Sequence, residues 1–246
     1  MLQSLAIAFG FLTRLPVKNA SVNDADLGRS LAWFPIVGVA LGLALVGAER
    51  FLRGYLSVDL MAVALVVLLA VLTGGLHLDG LADVFDALGG GRGDRERMLT
   101  IMKDSRIGAH GAAALCLLLI AKVVIVMEVL RHESFWPLLA FPVLARWAVI
   151  PLVIFFPYTR VEGLGKPFNG HGRQLHFAVA TCLTAALVAW TGPQVIVPGA
   201  SALAVALGIG FWLKRRLGGL TGDVYGTAIE LSEIIFLVVA GLGDRG

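Results

Sequence analysis

The amino-acid sequence predicts an all-α fold, a polytopic integral-membrane bundle of about six to seven transmembrane helices. The chain of 246 residues is 58% apolar and only 15% charged, and its mean hydropathy is +0.85. Soluble domains average about 45–50% apolar and about 25% charged residues. Only helices or closed barrels satisfy their backbone hydrogen bonds in lipid, and the sequence lacks the alternating segments of about ten residues that are typical of a barrel.

Long apolar stretches recur along the chain, and each approaches the roughly 20 residues that a helix needs to cross a bilayer. The predicted spans cover approximately residues 31–49, 60–76, 107–130, 135–157, 175–191, 195–213 and 225–242. The apolar stretch before Arg14 is too short for a span and is predicted to be an interfacial or re-entrant helix. We expect one integral-membrane domain over residues 1–246.

Lysine and arginine are distributed unevenly between the two sides that this order of spans creates. The loops on the side of the N-terminus contain fourteen of these residues, and the opposite loops contain four. Cytoplasmic loops carry such an excess in membrane proteins. The sequence therefore predicts that the two long loops, 77–106 and 158–174, face the cytoplasm in a multi-pass protein of the cell (inner or cytoplasmic) membrane.

Three aspartates follow the second predicted span, in the stretch GGLHLDGLADVFDAL. Asp79, Asp83 and Asp86 are spaced at i, i+4 and i+7, which places them on one face of a helix. Like charges on one face repel unless a cation neutralises them, and Mg²⁺ accepts carboxylate oxygens while it keeps positions for water and phosphate. The spacing therefore favours a metal face, whereas ion pairs with arginines of the same loop remain the alternative.

A second acidic stretch, GGLTGDVYGTAIELSE at 218–233, resembles the first at an offset of 144 residues. In this alignment Asp223 matches Asp79, and Glu230 matches Asp86. Glu230 and Glu233 fall inside the last predicted span, where a carboxylate costs about 2.5–3.5 kcal/mol on insertion scales. Because such a residue needs a partner, the two stretches together predict a shared cytoplasmic metal site.

Basic residues follow the aspartates and are suited to phosphate, because arginine forks bind phosphate oxygens bidentately. Lys122 and Arg146 lie inside predicted spans, where each needs a partner or an aqueous cavity. His77 precedes the aspartate face and is a candidate base or phosphate ligand, with a purely structural role as the alternative. The candidate substrate-binding residues are Arg97, Lys103, Arg106, His110 and Arg146.

Carboxylates, Mg²⁺ and arginines at a membrane surface indicate chemistry on a phosphorylated or diphosphate substrate. A membrane prenyltransferase is one alternative, since the Asp79–Asp83 spacing also occurs there, but it would carry a second Asp-rich repeat. A CDP-alcohol phosphotransferase shares the chemistry, but its longer signature does not fit LDGLADVFDAL. A transporter would use Lys122, Arg146 and Glu230 as midplane charges.

Several motifs resemble the cobalamin synthase family, whose members are also called adenosylcobinamide-GDP ribazoletransferases. The resemblance rests on TGGLHLDGLADVFDAL, MLTIMKDSRIGAHG, EGLG at 162–165 and LGGLTGDVYGTAIELSE, and it extends over nearly the whole chain. It implies a Mg²⁺-dependent membrane enzyme of late cobalamin synthesis. Members join adenosylcobinamide-GDP to α-ribazole, or to its 5′-phosphate, and release GMP.

Carried onto this sequence, the resemblance implies roles for the acidic and basic residues identified above. The metal and the diphosphate would be held by Asp79, Asp83, Asp86 and Asp223. Glu230 or Glu233 would complete that shell or activate the attacking hydroxyl. Arg97, Lys103 and Arg106 would bind phosphate oxygens as GMP departs. The expected partners are these small molecules and the lipid bilayer, without nucleic acid, and the sequence leaves open whether the chain forms a homo-oligomer.

Overall fold

The computed structural model of the chain describes residues 2–15, 23–160 and 165–243. These residues form α-helices joined by short turns; none of them belongs to a β-strand, although an isolated bridge joins Tyr158 to Leu220. Residues 162–164 of the EGLG segment lie outside the described residues.

The helices follow one another closely along the described chain. The first six are α1 (Leu2–Leu12), α2 (Asp24–Ser30), α3 (Phe34–Leu52), α4 (Val58–Thr73), α5 (Leu76–Gly90) and α6 (Arg95–Ile101). The next six are α7 (Ala109–Arg131), α8 (Trp136–Phe155), α9 (Lys166–His171), α10 (Gln174–Thr191), α11 (Ile196–Leu217) and α12 (Gly222–Gly243).

The described helices confirm a polytopic helical membrane protein. Six helical segments are long and apolar enough to cross a membrane, and a seventh span results if α4 and α5 are taken together. Each predicted span overlaps one of these segments, with boundaries that differ by a few residues. The helix α1 is eleven residues long, so it is too short for a span, in agreement with the sequence.

The second predicted span, 60–76, needs a correction. The helix α4 ends at Thr73, and the chain bends by 90° into α5. Gly74 and Gly75 make this break because both have positive φ angles, 65° and 70°, which residues with a side chain adopt only under strain. The helix that carries the three aspartates therefore leaves the direction of α4 at once.

The helix α8 lies at the centre of the bundle and packs against α3, α11 and α12. Its approach to α3 is close because glycines replace side chains there. A Cβ atom at Gly38 would lie 2.5 Å from the Cα of Val143, and one at Gly42 would lie 2.8 Å from the Cα of Leu139. Small residues of this kind allow helices to pack closely in membranes, where no hydrophobic effect drives their association.

The two acidic stretches are alike in structure as well as in sequence. Each begins at a left-handed glycine that ends an apolar helix, Gly74 after α4 and Gly218 after α11. The helices that follow, α5 and α12, run antiparallel and touch through glycines: a Cβ at Gly80 would meet the backbone of Asp223, and one at Gly226 would meet the backbone of His77. This contact brings the first turns of both helices together and positions the site.

Candidate active site

A cavity of about 270 Å³ lies where α5 and α12 meet α1, α3 and α8. Its wall is mostly apolar, with polar groups gathered on the side of α5 and α12. The polar lining residues are His77, Asp79, Tyr158, Arg160, Asp223 and Tyr225. The apolar ones include Phe11, Phe34, Val149, Val153, Phe168 and Ile229. An apolar pocket with a few converging polar groups is typical of a small-molecule site.

Asp79 and Asp223 lie together at this cavity, as the alignment of the two stretches predicts. Asp79 is exposed, and its carboxylate has no hydrogen-bond or ion-pair partner among the described residues. Asp83 follows one turn later on α5, is half-buried, and interacts electrostatically with both Asp79 and Asp223. Three carboxylates thus lie in one region, and those of Asp79 and Asp83 have no hydrogen-bond or ion-pair partner among the described residues.

Arg160 is a site residue that the sequence did not single out. Its guanidinium donates to Asp223 over 2.6 Å and to the carbonyl oxygen of Met102 over 2.9 Å. The second bond ties the turn after α6 to the cavity. The available signal is its position just beyond the end of α8, in the long loop 158–174, since loops of this length are often functional.

Two tyrosines flank Asp223 and were also missed. Their rings lie 6.3 Å apart between centroids. The hydroxyl group of Tyr225 is buried without a hydrogen-bond partner in the described chain, and that of Tyr158 is buried close to the backbone N–H groups of Gly165 and Gly222. Burial raises the pKa of Tyr158, with the nearby Arg160 acting in the opposite sense. Tyr158 and Tyr225 therefore offer neutral hydroxyl donors at the polar side of the cavity.

His77 lies deeper than the aspartates, where it lines the cavity wall. Its side chain is 3% exposed, and neither ring nitrogen has a hydrogen-bond partner among the residues that the structure describes. The sequence offered a role as base or phosphate ligand, and the structure places His77 within the same site as Asp79. Buried polar groups are nearly always hydrogen-bonded, so these nitrogens point to a group that the protein itself does not supply.

Asp86 is placed differently from the other two aspartates of its helix. It is buried, and its carboxylate accepts from the backbone N–H of Gly108 over 2.7 Å and of Gly111 over 2.8 Å. Both glycines lie at the start of α7. The carboxylate caps that helix and satisfies N–H groups that lack partners within it. Because its carboxylate is already bound in this way, the structure does not support Asp86 as a metal ligand.

Replacing Asp86 by alanine is expected to lower stability rather than to change a metal requirement. Hydrogen bonds to a charged group contribute about 1.5–3 kcal/mol, and both N–H groups would be left without this acceptor. Thermal unfolding in detergent should shift to lower temperature, while the Mg²⁺ concentration that supports half-maximal turnover stays at the wild-type value. A higher Mg²⁺ requirement at unchanged stability would return Asp86 to the metal site.

Glu230 and Glu233 also lie apart from the aspartates, in a buried network with two cations. Lys122 Nζ donates to Glu230 over 2.5 Å and to Glu233 over 2.6 Å, and Arg146 pairs with the other oxygen of Glu233. All four side chains are buried. Because these carboxylates already neutralise Lys122 and Arg146, they are not free to complete a shell with Asp79, and Arg146 is paired with Glu233 rather than part of the cavity lining.

The remaining basic candidates lie on or after α6, outside the cavity wall. Arg97, Lys103 and His110 are exposed, and Arg106 pairs with Asp104 over 2.7 Å. This pair lowers the pKa of Asp104 to about 2, chiefly through hydrogen bonds from Arg106. Arg106 and His110 line a separate open groove that also includes Asp86. The structure thus brings Arg160, rather than these residues, to the aspartates.

The carboxylates at the cavity suit Mg²⁺, as it is bound in sites that act on phosphates. Across the described ranges, no three His, Cys, Asp or Glu side chains are grouped as a ready metal cage. Mg²⁺, however, is usually held by one or two carboxylates, with water and substrate phosphates as its other ligands. Asp79 and Asp83 offer two free carboxylates one helical turn apart, so the residues present fit this cation.

Fold and site together define an integral-membrane protein with a carboxylate-rich site at a small cavity. The family model of cobalamin-5-phosphate synthase matches residues 4–241, and the chain belongs to this family. It is 43% identical to the adenosylcobinamide-GDP ribazoletransferase of Syntrophobacter fumaroxidans, with 96% of each chain covered. It is 38% identical to the protein of that name from Geotalea daltonii, with 100% of each covered. No solved structure matches the chain.

Proposed function

We propose that the chain is an adenosylcobinamide-GDP ribazoletransferase. It joins adenosylcobinamide-GDP to α-ribazole, or to α-ribazole 5′-phosphate, and forms adenosylcobalamin, or its 5′-phosphate, with release of GMP. The observation that carries the proposal is the cluster of Asp79, Asp223 and Arg160 at an aromatic cavity, in a chain that relatives of this name match over nearly their whole length.

In this reaction a hydroxyl oxygen of the ribazole attacks the phosphorus borne by the cobinamide arm. A new P–O bond forms, the bond between that phosphorus and the oxygen of the GMP phosphate breaks, and GMP leaves with the electron pair. The hydroxyl proton needs an acceptor at the same place. Asp223 lines the cavity, pairs with Arg160 and accepts from the hydroxyl of Thr221 at 3.2 Å, and it takes this role.

Asp79 and Asp83 would hold Mg²⁺ through their free carboxylates. Bound there, the cation would supply positive charge that offsets the charge developing on phosphoryl oxygens. Arg160 lies in the same region. As GMP departs, its guanidinium exchanges Asp223 for the phosphate as its anionic partner. Arg97, exposed on α6, and Lys103, exposed next to Met102, are proposed as outer phosphate contacts.

The reaction is tested by the release of GMP from adenosylcobinamide-GDP with the detergent-purified protein. We expect release that requires both α-ribazole and Mg²⁺, because the acceptor attacks directly and the diphosphate needs charge compensation. A reaction without ribazole measures hydrolysis, and a chelator arm measures the metal requirement. Release of GMP with the chelator present would exclude the metal role, and absence of release in every arm would exclude the function.

The same assay tests the proposed location, a multi-pass position in the cytoplasmic membrane with the active site facing the cytoplasm. The excess of lysine and arginine on the loops that carry Asp79 and Arg160 supports this orientation. Both substrates are polar and do not cross a sealed bilayer. Inside-out vesicles should therefore release GMP, whereas right-side-out vesicles should do so only after detergent is added. The opposite result would reverse the topology.

A further inference from the structure

We infer that the cavity binds the aromatic base of the ribazole, and that His77 donates a hydrogen bond to its free ring nitrogen. This inference rests on the proposed function, which supplies the two substrates. It goes further because it assigns one half of one substrate to a particular wall of the protein. The argument depends on the size of the cavity, on its aromatic lining and on the unpaired imidazole.

The size of the cavity limits which parts of the two substrates can enter it. Pockets for drug-sized ligands measure about 300–1,000 Å³, and this cavity, at about 270 Å³, lies just below that range. A flat bicyclic base fits such a space. The corrin macrocycle with its amide arms and adenosyl group is several times larger, so it must remain outside the cavity with the diphosphate at the mouth.

Three phenylalanines give the cavity an aromatic wall. The rings of Phe11 and Phe168 lie 4.5 Å apart between centroids, and those of Phe34 and Phe168 lie 6.0 Å apart. Aromatic rings attract one another in offset or edge-to-face arrangements over these distances. The lining therefore favours a planar aromatic guest over a sugar or a phosphate, which would lose water without gaining hydrogen bonds here.

His77 lines the same cavity and supplies a polar contact for an occupant. Its ring is buried, and both nitrogens lack partners among the described residues, although Lys122, Arg146 and Glu233 lie near enough to act on it electrostatically. A neutral imidazole has one N–H donor and one acceptor. In a base of the benzimidazole type, one ring nitrogen is joined to ribose and the other is a free acceptor, so the N–H of His77 has a partner when the base is bound.

Guanine, the base of the donor nucleotide, is the competing occupant. It is also planar and bicyclic, but it carries several donors and acceptors along its edges. Beyond the two tyrosine hydroxyl groups and the charged residues that the proposed reaction uses, the described lining is apolar, with Phe11, Phe34, Val149 and Ile229, and it offers these edges no partner. Burying such unpaired polar groups is costly, whereas a base with a single free acceptor loses little. The cavity therefore favours the ribazole.

The test compares His77→Leu with His77→Gln, which keeps an N–H donor. We expect the KM for α-ribazole to rise about 10- to 100-fold in His77→Leu, with partial recovery in His77→Gln and an unchanged KM for adenosylcobinamide-GDP. His132→Leu, at the far end of α7, is the matched control for loss of an imidazole. A rise confined to the KM for adenosylcobinamide-GDP would assign the cavity to guanine and overturn the inference.

A ligand variant tests the same contact on the unaltered protein, so the result does not depend on the folding of a mutant. An indole analogue of the ribazole replaces the free ring nitrogen by C–H. Calorimetric titration of the wild-type protein, without donor, should show binding of α-ribazole and about 10- to 100-fold weaker binding of the analogue. Equal affinities would overturn the inference. Because binding is measured without turnover, failure of the proposed reaction remains distinguishable from failure of this contact.

Discussion

Asp79→Asn is expected to reduce GMP release by roughly 100-fold or more without a loss of stability. Asp79 is exposed at the cavity and its carboxylate has no hydrogen-bond or ion-pair partner in the described residues, so an amide of the same shape leaves the fold intact. A metal ion supplies several kcal/mol of charge stabilisation in a phosphoryl transfer, and each 1.4 kcal/mol is a factor of ten in rate. Turnover by purified protein, normalised to folded enzyme, measures the effect.

The matched control is Asp94→Asn, which removes the same charge from the same part of the chain. Asp94 is the N-cap of α6 and accepts from the backbone N–H of Glu96 and Arg97. Asparagine caps a helix about as well as aspartate, so stability and turnover should both be retained. A titration of Mg²⁺ adds a second readout, because a lost metal ligand should raise the concentration required by Asp79→Asn. Wild-type turnover by Asp79→Asn would remove the metal face from the mechanism.

Much of the fold follows from hydropathy alone, because a helix in lipid must be both long and apolar. The spans were located on that basis, and the repeat of GGL with an aspartate three residues later indicated that α5 and α12 share a site. The bend between α4 and α5 was missed because apolar residues continue across Gly74 and Gly75. The two left-handed glycines carry that information, and only their φ angles reveal it.

The predicted carboxylate face illustrates a limit of helical spacing. The helical repeat places Asp79, Asp83 and Asp86 on one face of α5, but it does not show which parts of the protein pack against that face. In the structure Asp79 is exposed at the cavity, Asp83 is half-buried, and Asp86 is covered by the start of α7. The repulsion between these like charges predicts a metal ion, but at Asp86 two backbone N–H groups stabilise the carboxylate instead. The pattern of side chains in the sequence does not reveal such backbone partners.

The buried charges show a related limit. The cost of a carboxylate or a cation inside a span predicts that each needs a partner, and this held for Glu230, Glu233, Lys122 and Arg146. It does not identify the partner. The pairs join residues 87 to 111 positions apart on three different helices. From the sequence alone, a metal ion would neutralise the carboxylates equally well. Only the packing of α7, α8 and α12 decides between them.

Glu233→Gln is accordingly expected to destabilise the protein strongly. Glu233 is fully buried and is shared by Lys122 and Arg146, so its loss leaves two buried cations with Glu230 as their sole neutralising carboxylate in the described network. Removing one partner of a buried ion pair costs about 3–5 kcal/mol, which for a chain of this size lowers the melting temperature by roughly 6–20 °C. Thermal unfolding in detergent measures it.

Glu128→Gln is the control for this substitution, since Glu128 lies near the end of α7 in partly exposed pairs with Arg131 and His132. Exposed pairs contribute about 0–1 kcal/mol, so its melting temperature should stay close to that of the wild type. The double variant Lys122→Met/Glu230→Leu removes one cation and one carboxylate and leaves Glu233 paired with Arg146. It should therefore be more stable than Lys122→Met or Glu230→Leu alone.

These variants also separate a structural network from a catalytic one. If Glu233 holds α7, α8 and α12 together, the stability of Glu233→Gln falls, and turnover per folded molecule changes far less than in Asp79→Asn. If instead the variant melts like the wild type and loses turnover, the network does not stabilise the fold and Glu233 acts in the chemistry, as the family resemblance implies. The geometry favours the first result, because both oxygens of Glu233 are occupied by buried cations on neighbouring helices.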